Sequence, residues 1–272
     1  IKYIVTGGAG FIGSHLVEYL VKRKKKVVVL DNLSTGRIEN IKKNLHQIKF
    51  LKCDISKEGT WINEFKGKCY IFHLAALADI VPSIKDPSKY FNSNVKGTLN
   101  ILEASKNCKV GKLVYTASSS CYGIPKNYPT KETEQNKPIY PYALTKKMAE
   151  DLIIHWGNLF NIPFISLRLF NVYGTRSRTS GTYGAMFGVF LAQKLSNNPF
   201  TIVGTGKQTR DFTYVTDVVE AMTIASESDK TSDIYNVGSD NTYSINYLIK
   251  LLDGEKKNIP KKVKYTNYEH LK

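Results

Sequence analysis

The stretch KYIVTGGAGFIGSHLVEYLVKRKKKVVVLD, residues 2–31, decides the fold. It opens on a short apolar run, KYIVT (2–6), and closes on another, VVVLD (27–31), both rich in β-branched residues. Runs of this kind are the pattern of strands buried on both faces of a parallel sheet. Between them Ile12, Leu16, Val17, Leu20 and Val21 mark the apolar stripe of a helix. Gly7, Gly10 and Gly13 form G-x-x-G-x-x-G in the turn from strand to helix. Glycines there allow a tight turn and let the backbone approach a pyrophosphate, which then sits on the helix N-terminus. Asp31 closes the second strand, where a carboxylate accepts hydrogen bonds from an adenosine ribose and repels the extra phosphate of NADP. The first spacing departs from the usual G-x-G-x-x-G, and a lone glycine pattern is weak. The strand before it, the helix after it and Asp31 supply the context that points to NAD; the bland alternative is structural glycines and a strand-ending Asp.

Working outward, IKFLKCD (48–54), YIFHLAA (70–76), KLVYTAS (112–118) and FISLRLF (164–170) read as further strands, with helices near 88–106 and 140–160. Alternation of this kind predicts an α/β fold, a Rossmann-type doubly wound parallel sheet with helices on both faces. Asp54 ends the third strand at the same sheet edge, where it can bond an adenine amino group or stand as a solvated loop residue. His73, beside an apolar strand, reads as a core or backbone-bonded histidine. Beyond residue 170 the rhythm changes: NVYGTRSRTSGTYGAM (171–186) is loop-like, and short strands and helices follow at 200–204, 215, 233–238 and 244. We therefore expect residues 1–170 to form the NAD-binding domain, with later segments such as 201–235 contributing to it. Residues 171–272 would form mainly a smaller mixed α/β substrate-binding lobe, interleaved in sequence. The chain opens directly on a strand without Met and stops in a lysine-rich stretch, which leaves room for absent terminal or internal sequence.

Composition narrows the functional classes. A chain of 272 residues with 42% hydrophobic and 11% aromatic content can bury a sizeable core. No apolar run reaches transmembrane length, and the opening residues lack the apolar block of a signal peptide, so a cytoplasmic protein without membrane insertion is expected. The formal charge of +16 comes from lysines spread in clusters such as KRKKK (22–26), which cap a helix and open a strand. A solvated basic surface explains this better than nucleic-acid binding, and its field would still favour a diphosphate. Cys53, Cys69, Cys108 and Cys121 match no zinc spacing, so no metal is expected and the thiols read as reduced and mostly buried.

Tyr142 and Lys146 form Y-x-x-x-K on a predicted helix, which puts both side chains on one face. A free tyrosine titrates near pH ~10, too high for a base at neutrality. A lysine ammonium one turn away and a positive nicotinamide ring would both favour the phenolate. ASSSCYG (117–123) ends a strand just upstream and places Ser118 to bond the reacting oxygen with Tyr142. By itself Y-x-x-x-K is common; the serines and the glycine turn make it informative.

Jointly TGGAGFIGSHL, DNLSTG, HLAA, SNVKGTLNILEA, SSSCYG, YPYALTK, LRLFNVYG and QTRDFTYVTDVVEA resemble the extended short-chain dehydrogenase/reductase family. Within it the chain looks most like nucleotide-sugar 4-epimerases acting on UDP-glucose or UDP-N-acetylglucosamine. The resemblance implies Tyr142 as base, Lys146 as its helper and ribose ligand, and Ser118 as a bond to the sugar oxygen. It implies a cofactor site of Gly7, Gly10, Phe11, Ile12, Gly13, Asp31, Asn32, Ser34, Gly36, Asp54, Ile55, Leu74, Ala75, Ala76 and Asn94, besides Tyr142 and Lys146. Ser83, Ser119 and Ser120 would line the sugar pocket, Asn171 would contact the diphosphate, and Arg210 would clamp the phosphates. A second family arginine, in an R-P-G motif near 260, is replaced by IPKKVKYTN. The implied reaction withdraws a hydride from carbon 4, turns the flat 4-keto sugar over and returns the hydride to its other face. Relatives also dimerise through helices near 90–106 and 141–157.

Other readings are weaker. Dehydratases carry an Asp-Glu pair where this chain has Ser119-Ser120, and decarboxylases usually a Glu at the second position. A ketoreductase would need exchangeable reduced cofactor, and NAD-binding sensors commonly lack the Tyr or the Lys. Cys121 is one residue out of register for a proton carrier, and reads as packing. Arg176 and Arg178 either face a diphosphate or a sugar carboxylate, or lie in a solvated loop.

Overall fold

The computed structural model describes residues 1–106, 108–179, 186–253 and 264–266. The R-P-G position near 260 therefore lies outside the described residues. Strand β1 (Lys2–Thr6) leads through helix α1 (Phe11–Lys22) to β2 (Lys26–Asp31), β3 (Ile48–Lys52) and β4 (Lys68–His73). Then come α2 (Ile80–Lys85), α3 (Pro87–Tyr90), a π-helical turn (Phe91–Lys96), α4 (Gly97–Lys106), β5 (Lys109–Ser118), α5 (Pro141–Phe160) and β6 (Phe164–Leu169). The later elements are β7 (Asn171–Tyr173), α6 (Met186–Leu195), β8 (Thr201–Val203), β9 (Thr209–Tyr214), α7 (Val215–Glu227), β10 (Asp233–Val237), β11 (Thr242–Ser244), α8 (Ile245–Asp253) and β12 (Lys264–Thr266).

Seven parallel strands form the main sheet in the order β10-β6-β5-β4-β1-β2-β3. The side-chain period of two explains why these strands are apolar almost throughout. Ile4, Val28, Leu30, Ile71 and Tyr115 face one layer with Ile101 of α4 and Ala149 and Ile153 of α5. Their neighbours Val5, Val27, Val29, Phe72 and Val114 face the other, against Leu16 and Leu20 of α1 and Val218 and Met222 of α7. From β1 the chain steps to β2 and β3 on one side, then crosses back to place β4 on the other side of β1. That reversal opens a crevice at the carboxyl ends of the strands, where such sheets bind ligands.

The smaller elements have their own core of Phe190, Phe200, Ile202, Phe212, Ile245, Leu248 and Ile249. Part of the stretch read as a loop after residue 170 is β7, which pairs in parallel with β9. Three residues are too few to carry a periodic signal. Of residues 201–235, β8 and β9 belong to the small sheets, whereas α7 packs on the large sheet and β10 extends it. The π-helical turn inside the expected 88–106 helix was also illegible, because one wide turn leaves no mark on apolar spacing.

Candidate active site

A cleft of about 1860 Å³ runs along the carboxyl edge of the large sheet to the smaller lobe. At its floor Gly7 has φ +69°, and a β-carbon there would meet the Ala75 backbone at 2.8 Å. A side chain on Gly13 would collide with the Gly7 carbonyl. The first turn of α1 can therefore sit this close to β1 and β4 only without side chains. The turn is held by Gly7 N–H to Leu30 O (2.8 Å) and Gly10 N–H to Gly7 O (3.0 Å).

Asp31 is buried at the end of β2, its carboxylate accepting from Ala9 N (2.9 Å) and Leu33 N (2.8 Å). Burial pushes its pKa up and the two backbone donors pull it back. Asp54 accepts from Ser56 N (3.0 Å) and Ser56 Oγ (2.7 Å). A glycine floor under the α1 N-terminus and a carboxylate at the β2 edge fit a dinucleotide: the first admits a pyrophosphate, the second meets a ribose.

The wall after β4 is set by a chain of hydrogen bonds that the sequence did not disclose. Thr6 Oγ1 accepts from Leu74 N (3.1 Å) and Ala75 N (3.0 Å) and bonds His73 Nδ1 (2.8 Å). His73 Nε2 bonds Thr98 Oγ1 (2.8 Å), whose own proton goes to Asn94 O (2.6 Å). Since the Thr98 proton is already used, Nε2 carries the imidazole proton and Nδ1 accepts from Thr6. The ring is neutral: burial, with a lesser push from Lys146, lowers its pKa to about 3. Asn94 in turn donates to Leu77 O (3.0 Å) and Thr145 Oγ1 (3.0 Å), and accepts from Leu77 N (2.8 Å). His73 is thus the core histidine that its setting suggested, and it orients the 74–77 wall.

Tyr142 lies on the first turn of α5, and its hydroxyl is hydrogen-bonded by the side chains of Ser118 and Ser120. Ser118 Oγ also accepts from Ser120 Oγ (2.8 Å) and Ser120 N (3.2 Å), so the three hydroxyls form one cluster. Burial raises the Tyr142 pKa and the serine bonds oppose it. The protein's own groups do not by themselves give the lowering expected from Lys146 together with a nicotinamide ring, because dehydration of the phenolate outweighs its donors. Lys146 is 4% exposed; its ammonium donates to the Thr116 carbonyl and lies 4.2 Å from the Tyr115 ring centre. Burial brings its pKa down to about 7, with Glu150 resisting.

Behind this cluster stands a second group that sequence spacing did not single out. Glu150 follows Lys146 by one helical turn and is buried in a forked ion pair with Arg168, Nε to Oε1 3.1 Å and Nη2 to Oε2 2.7 Å. Ser166 Oγ donates to the same carboxylate (2.7 Å). Arg168 also donates to Tyr122 Oη (2.8 Å) and Glu132 O (3.1 Å), and Tyr122 donates to Asn236 Oδ1 (2.7 Å). The catalytic helix is thereby tied to β6, to β10 and to the 122–132 loop of the cleft wall. Cys121 is buried, and burial raises its thiol to about 11, as a packing residue requires.

The cleft brings together Gly7, Gly10, Phe11, Ile12, Gly13, Asp31, Asn32, Ser34, Asp54, Ile55 and Leu74–Ala76 with Ser118–Ser120, Tyr142, Lys146, Asn171 and Arg210. Three expected residues stand behind the wall. Gly36 packs on the Asp31 carboxylate, Asn94 acts on the 77 backbone, and Ser83 is fully buried with its hydroxyl donating to Ile80 O (2.6 Å). Ser83 thus spends its hydroxyl on its own helix. Toward the lobe, Arg176 pairs with Glu18 and Arg178 with Asp79, so both loop arginines line the cleft with a carboxylate partner. Asn171 Nδ2 donates to Asp211 O (2.7 Å), and Arg210 Nη1 to the neighbouring Thr209 O (2.8 Å). Among the described residues no cluster of His, Cys, Asp and Glu could hold a metal, and no helix is long and apolar enough to cross a membrane.

Comparison with known proteins agrees with this geometry. Residues 3–238 match the model of the NAD dependent epimerase/dehydratase family. UDP-glucose 4-epimerase of Mycolicibacterium smegmatis is 37% identical over 243 residues, covering 88% of this chain and 77% of that one. UDP-N-acetylglucosamine 4-epimerase of Methanobrevibacter ruminantium M1, solved with UDP-N-acetylmuramic acid, superposes with TM-score 0.92 at 34% identity, covering 98% and 85%. UDP-glucuronic acid 4-epimerase of Bacillus cereus, solved with UDP-glucuronic acid and NAD, gives TM-score 0.89 at 32% identity, covering 98% and 86%. A glycine-floored Rossmann cleft, a serine-bonded tyrosine one turn before a buried lysine, and matches over most of the length of each relative agree: this chain belongs to the NAD-dependent epimerase/dehydratase family, with NAD as its cofactor.

Proposed function

We propose that this protein inverts the carbon-4 hydroxyl of a nucleotide-diphosphate sugar, most simply a UDP-hexose, through a transient 4-keto sugar. The observation that carries this is the hydroxyl cluster of Tyr142, Ser118 and Ser120 beside the buried Lys146, with no carboxylic acid at Ser119 or Ser120. Elimination of water, as in a dehydratase, needs a second acid/base pair at this point.

When bound, NAD supplies a reversible hydride acceptor and a positively charged ring. Gly7, Gly10 and Gly13 would hold its pyrophosphate, Asp31 its adenosine ribose and Lys146 its nicotinamide ribose, with Phe11, Ile12, Asn32, Ser34, Asp54, Ile55 and Leu74–Ala76 along the same path. Tyr142 Oη accepts the proton of the sugar 4-hydroxyl and returns it after the ring has turned. Ser118 holds the same sugar oxygen in line, and its bonds to Tyr142 oppose the burial that raises the phenol. Withdrawing Lys146 from the Thr116 carbonyl would place its charge beside the phenolate. Ser119 and Ser120 would line the sugar, while Asn171 and Arg210 would meet the diphosphate. Gly36, Asn94 and Ser83 would act from behind the wall.

On this reading residues 1–170, completed by α7 and β10, form the cofactor half, and the remainder frames the sugar nucleotide. Exposed apolar side chains on α5 and before α4, among them Leu144, Leu159, Phe160 and Phe91, support a homodimer through these helices. A cytoplasmic setting suits a nucleotide-sugar enzyme.

The test is proton NMR of the protein with UDP-N-acetylglucosamine, UDP-glucose and UDP-glucuronate separately, without added NAD, beside Tyr142→Phe. Conversion to the galacto epimer in the parent and none in the variant supports the reading. A 4-keto-6-deoxy product, or no turnover of any of them by protein that retains NAD, would overturn it.

A further inference from the structure

Far from the cleft, at the amino-terminal edge of the large sheet, two cysteines 39 residues apart meet with Sγ–Sγ 2.9 Å. Cys69 is the second residue of β4 and is fully buried. Cys108 is half-buried in the turn between α4 and β5. Neither lines the cleft, and neither is used by the chemistry proposed above. Cys53 and Cys121 have no comparable sulfur neighbour among the described residues.

The backbone around the pair is fixed independently of the thiols. Cys69 stands opposite Val110 in the β4·β5 ladder, at a break in register before Tyr70. Cys108 N donates to Ser105 O, Val110 N to Cys108 O and Lys109 N to Gly67 O. The turn therefore presents Cys108 to Cys69 by main-chain geometry. A disulfide measures about 2.05 Å, so closure asks for less than about 1 Å of further approach.

The two thiols are unequal in a way that assigns an order. Cys108 reaches solvent, and the Lys2 ammonium favours its thiolate. Cys69 is fully buried, and burial raises its thiol. Cys108 is accordingly the thiolate an oxidant meets first, and Cys69 the thiol that resolves it.

We propose that Cys69 and Cys108 form an oxidisable dithiol, a modification site that a hydroperoxide closes to a disulfide and a dithiol reductant reopens. Cys108 thiolate attacks the peroxide, breaking its O–O bond; one oxygen leaves as water and the other remains as a sulfenic acid. Cys69 then attacks the Cys108 sulfur and expels the second oxygen as water. In sum two thiols and one hydrogen peroxide give one disulfide and two waters. The cross-link staples the start of β4 to the end of α4, two elements already tied at their other ends through His73 and Thr98. It would restrict the unfolded chain more than the folded site, which needs no rearrangement.

The experiment treats the full, NAD-containing protein with stoichiometric hydrogen peroxide and measures intact mass, proteolytic peptides and Tm. The expected result is loss of two hydrogen atoms, a peptide pair joined at residues 69 and 108, and a Tm rise of about 5–10 °C that dithiothreitol reverses. Cys108→Ser should lose all of these, and a Cys53→Ser/Cys121→Ser variant should keep them. Oxygen addition without a cross-link, a disulfide through Cys53 or Cys121, or a cross-link with unchanged Tm would each overturn the proposal. So would intact Cys69 and Cys108 under peroxide that consumes a free-thiol control. The readouts are independent of turnover, so they stand or fall apart from the epimerase reading.

Discussion

The two walls of the cleft are built by different means. On the cofactor side the ligand-facing groups are set by main chain: the glycine turn is pinned to β1 and β2, and the Asp31 carboxylate is gripped by two backbone N–H groups. On the lobe side they are long side chains, and the loop cations have carboxylate partners, Arg176 with Glu18 and Arg178 with Asp79. Glu18 is held down to about 2 by Arg176 and then Lys22. A wall made of backbone costs little to present to a ligand. A wall made of paired charges must exchange one partner for another, so substrate specificity can drift there while the cofactor site stays fixed.

Tyr142 sits where the walls meet, and the largest effect is expected there. Tyr142→Phe should lower kcat by about a thousandfold with NAD content unchanged, read by turnover and by cofactor absorbance. Loss of NAD together with activity would mean that Tyr142 serves chiefly to hold the cofactor rather than as the base. Glu150→Gln tests the ion pair that ties the catalytic helix to both halves. Leaving Arg168 buried without its partner should destabilise the fold by about 3–5 kcal/mol in urea unfolding; an unchanged midpoint would show the network to be dispensable.

His73 sharpens the contrast through pH. In the unfolded chain it takes a proton below about 6.5, whereas in the folded wall it stays neutral down to about 3. A basic group with a depressed folded pKa draws protons to the unfolded state, so stability falls as pH drops through that window. At pH 5 this loss is about 2 kcal/mol, and His73→Asn should remove it, measured as the pH dependence of the urea midpoint. The smallest effect is expected on the lobe wall: Arg210→Ala should raise the sugar-nucleotide KM about tenfold with little change in kcat. An unchanged KM would take Arg210 off the diphosphate.

What could be read from the sequence was whatever is local. Gly7 to Asp31 is one crossover unit, and Tyr142 with Lys146 is one helical turn, so their spacing carries their geometry. Thr6, His73 and the Asn94–Thr98 turn form a single hydrogen-bonded chain from three separate segments, and no spacing announces it. Arg168 meets Glu150 for the same reason: β6 happens to run beside α5. Ser83 shows the opposite failure. Resemblance placed it at the sugar, while its hydroxyl closes a local bond inside α2. The drop in the Tyr142 pKa is expected from Lys146 together with a nicotinamide ring; in the protein alone burial, a property of the whole fold, outweighs the serine donors.

The contacts between α1 and the 175–176 loop have a thermodynamic consequence. His15 Nε2 donates to the Thr175 carbonyl (3.0 Å), and Arg176 reaches both Glu18 and Ser14 of the helix whose first turn faces the dinucleotide. A sugar nucleotide that draws Arg176 away from Glu18 loosens a brace on the helix under NAD. One that leaves the brace in place inherits its rigidity. Linkage is reciprocal, so whichever sign this has, the cofactor must alter the affinity for the sugar nucleotide by the same factor as the sugar nucleotide alters the affinity for the cofactor.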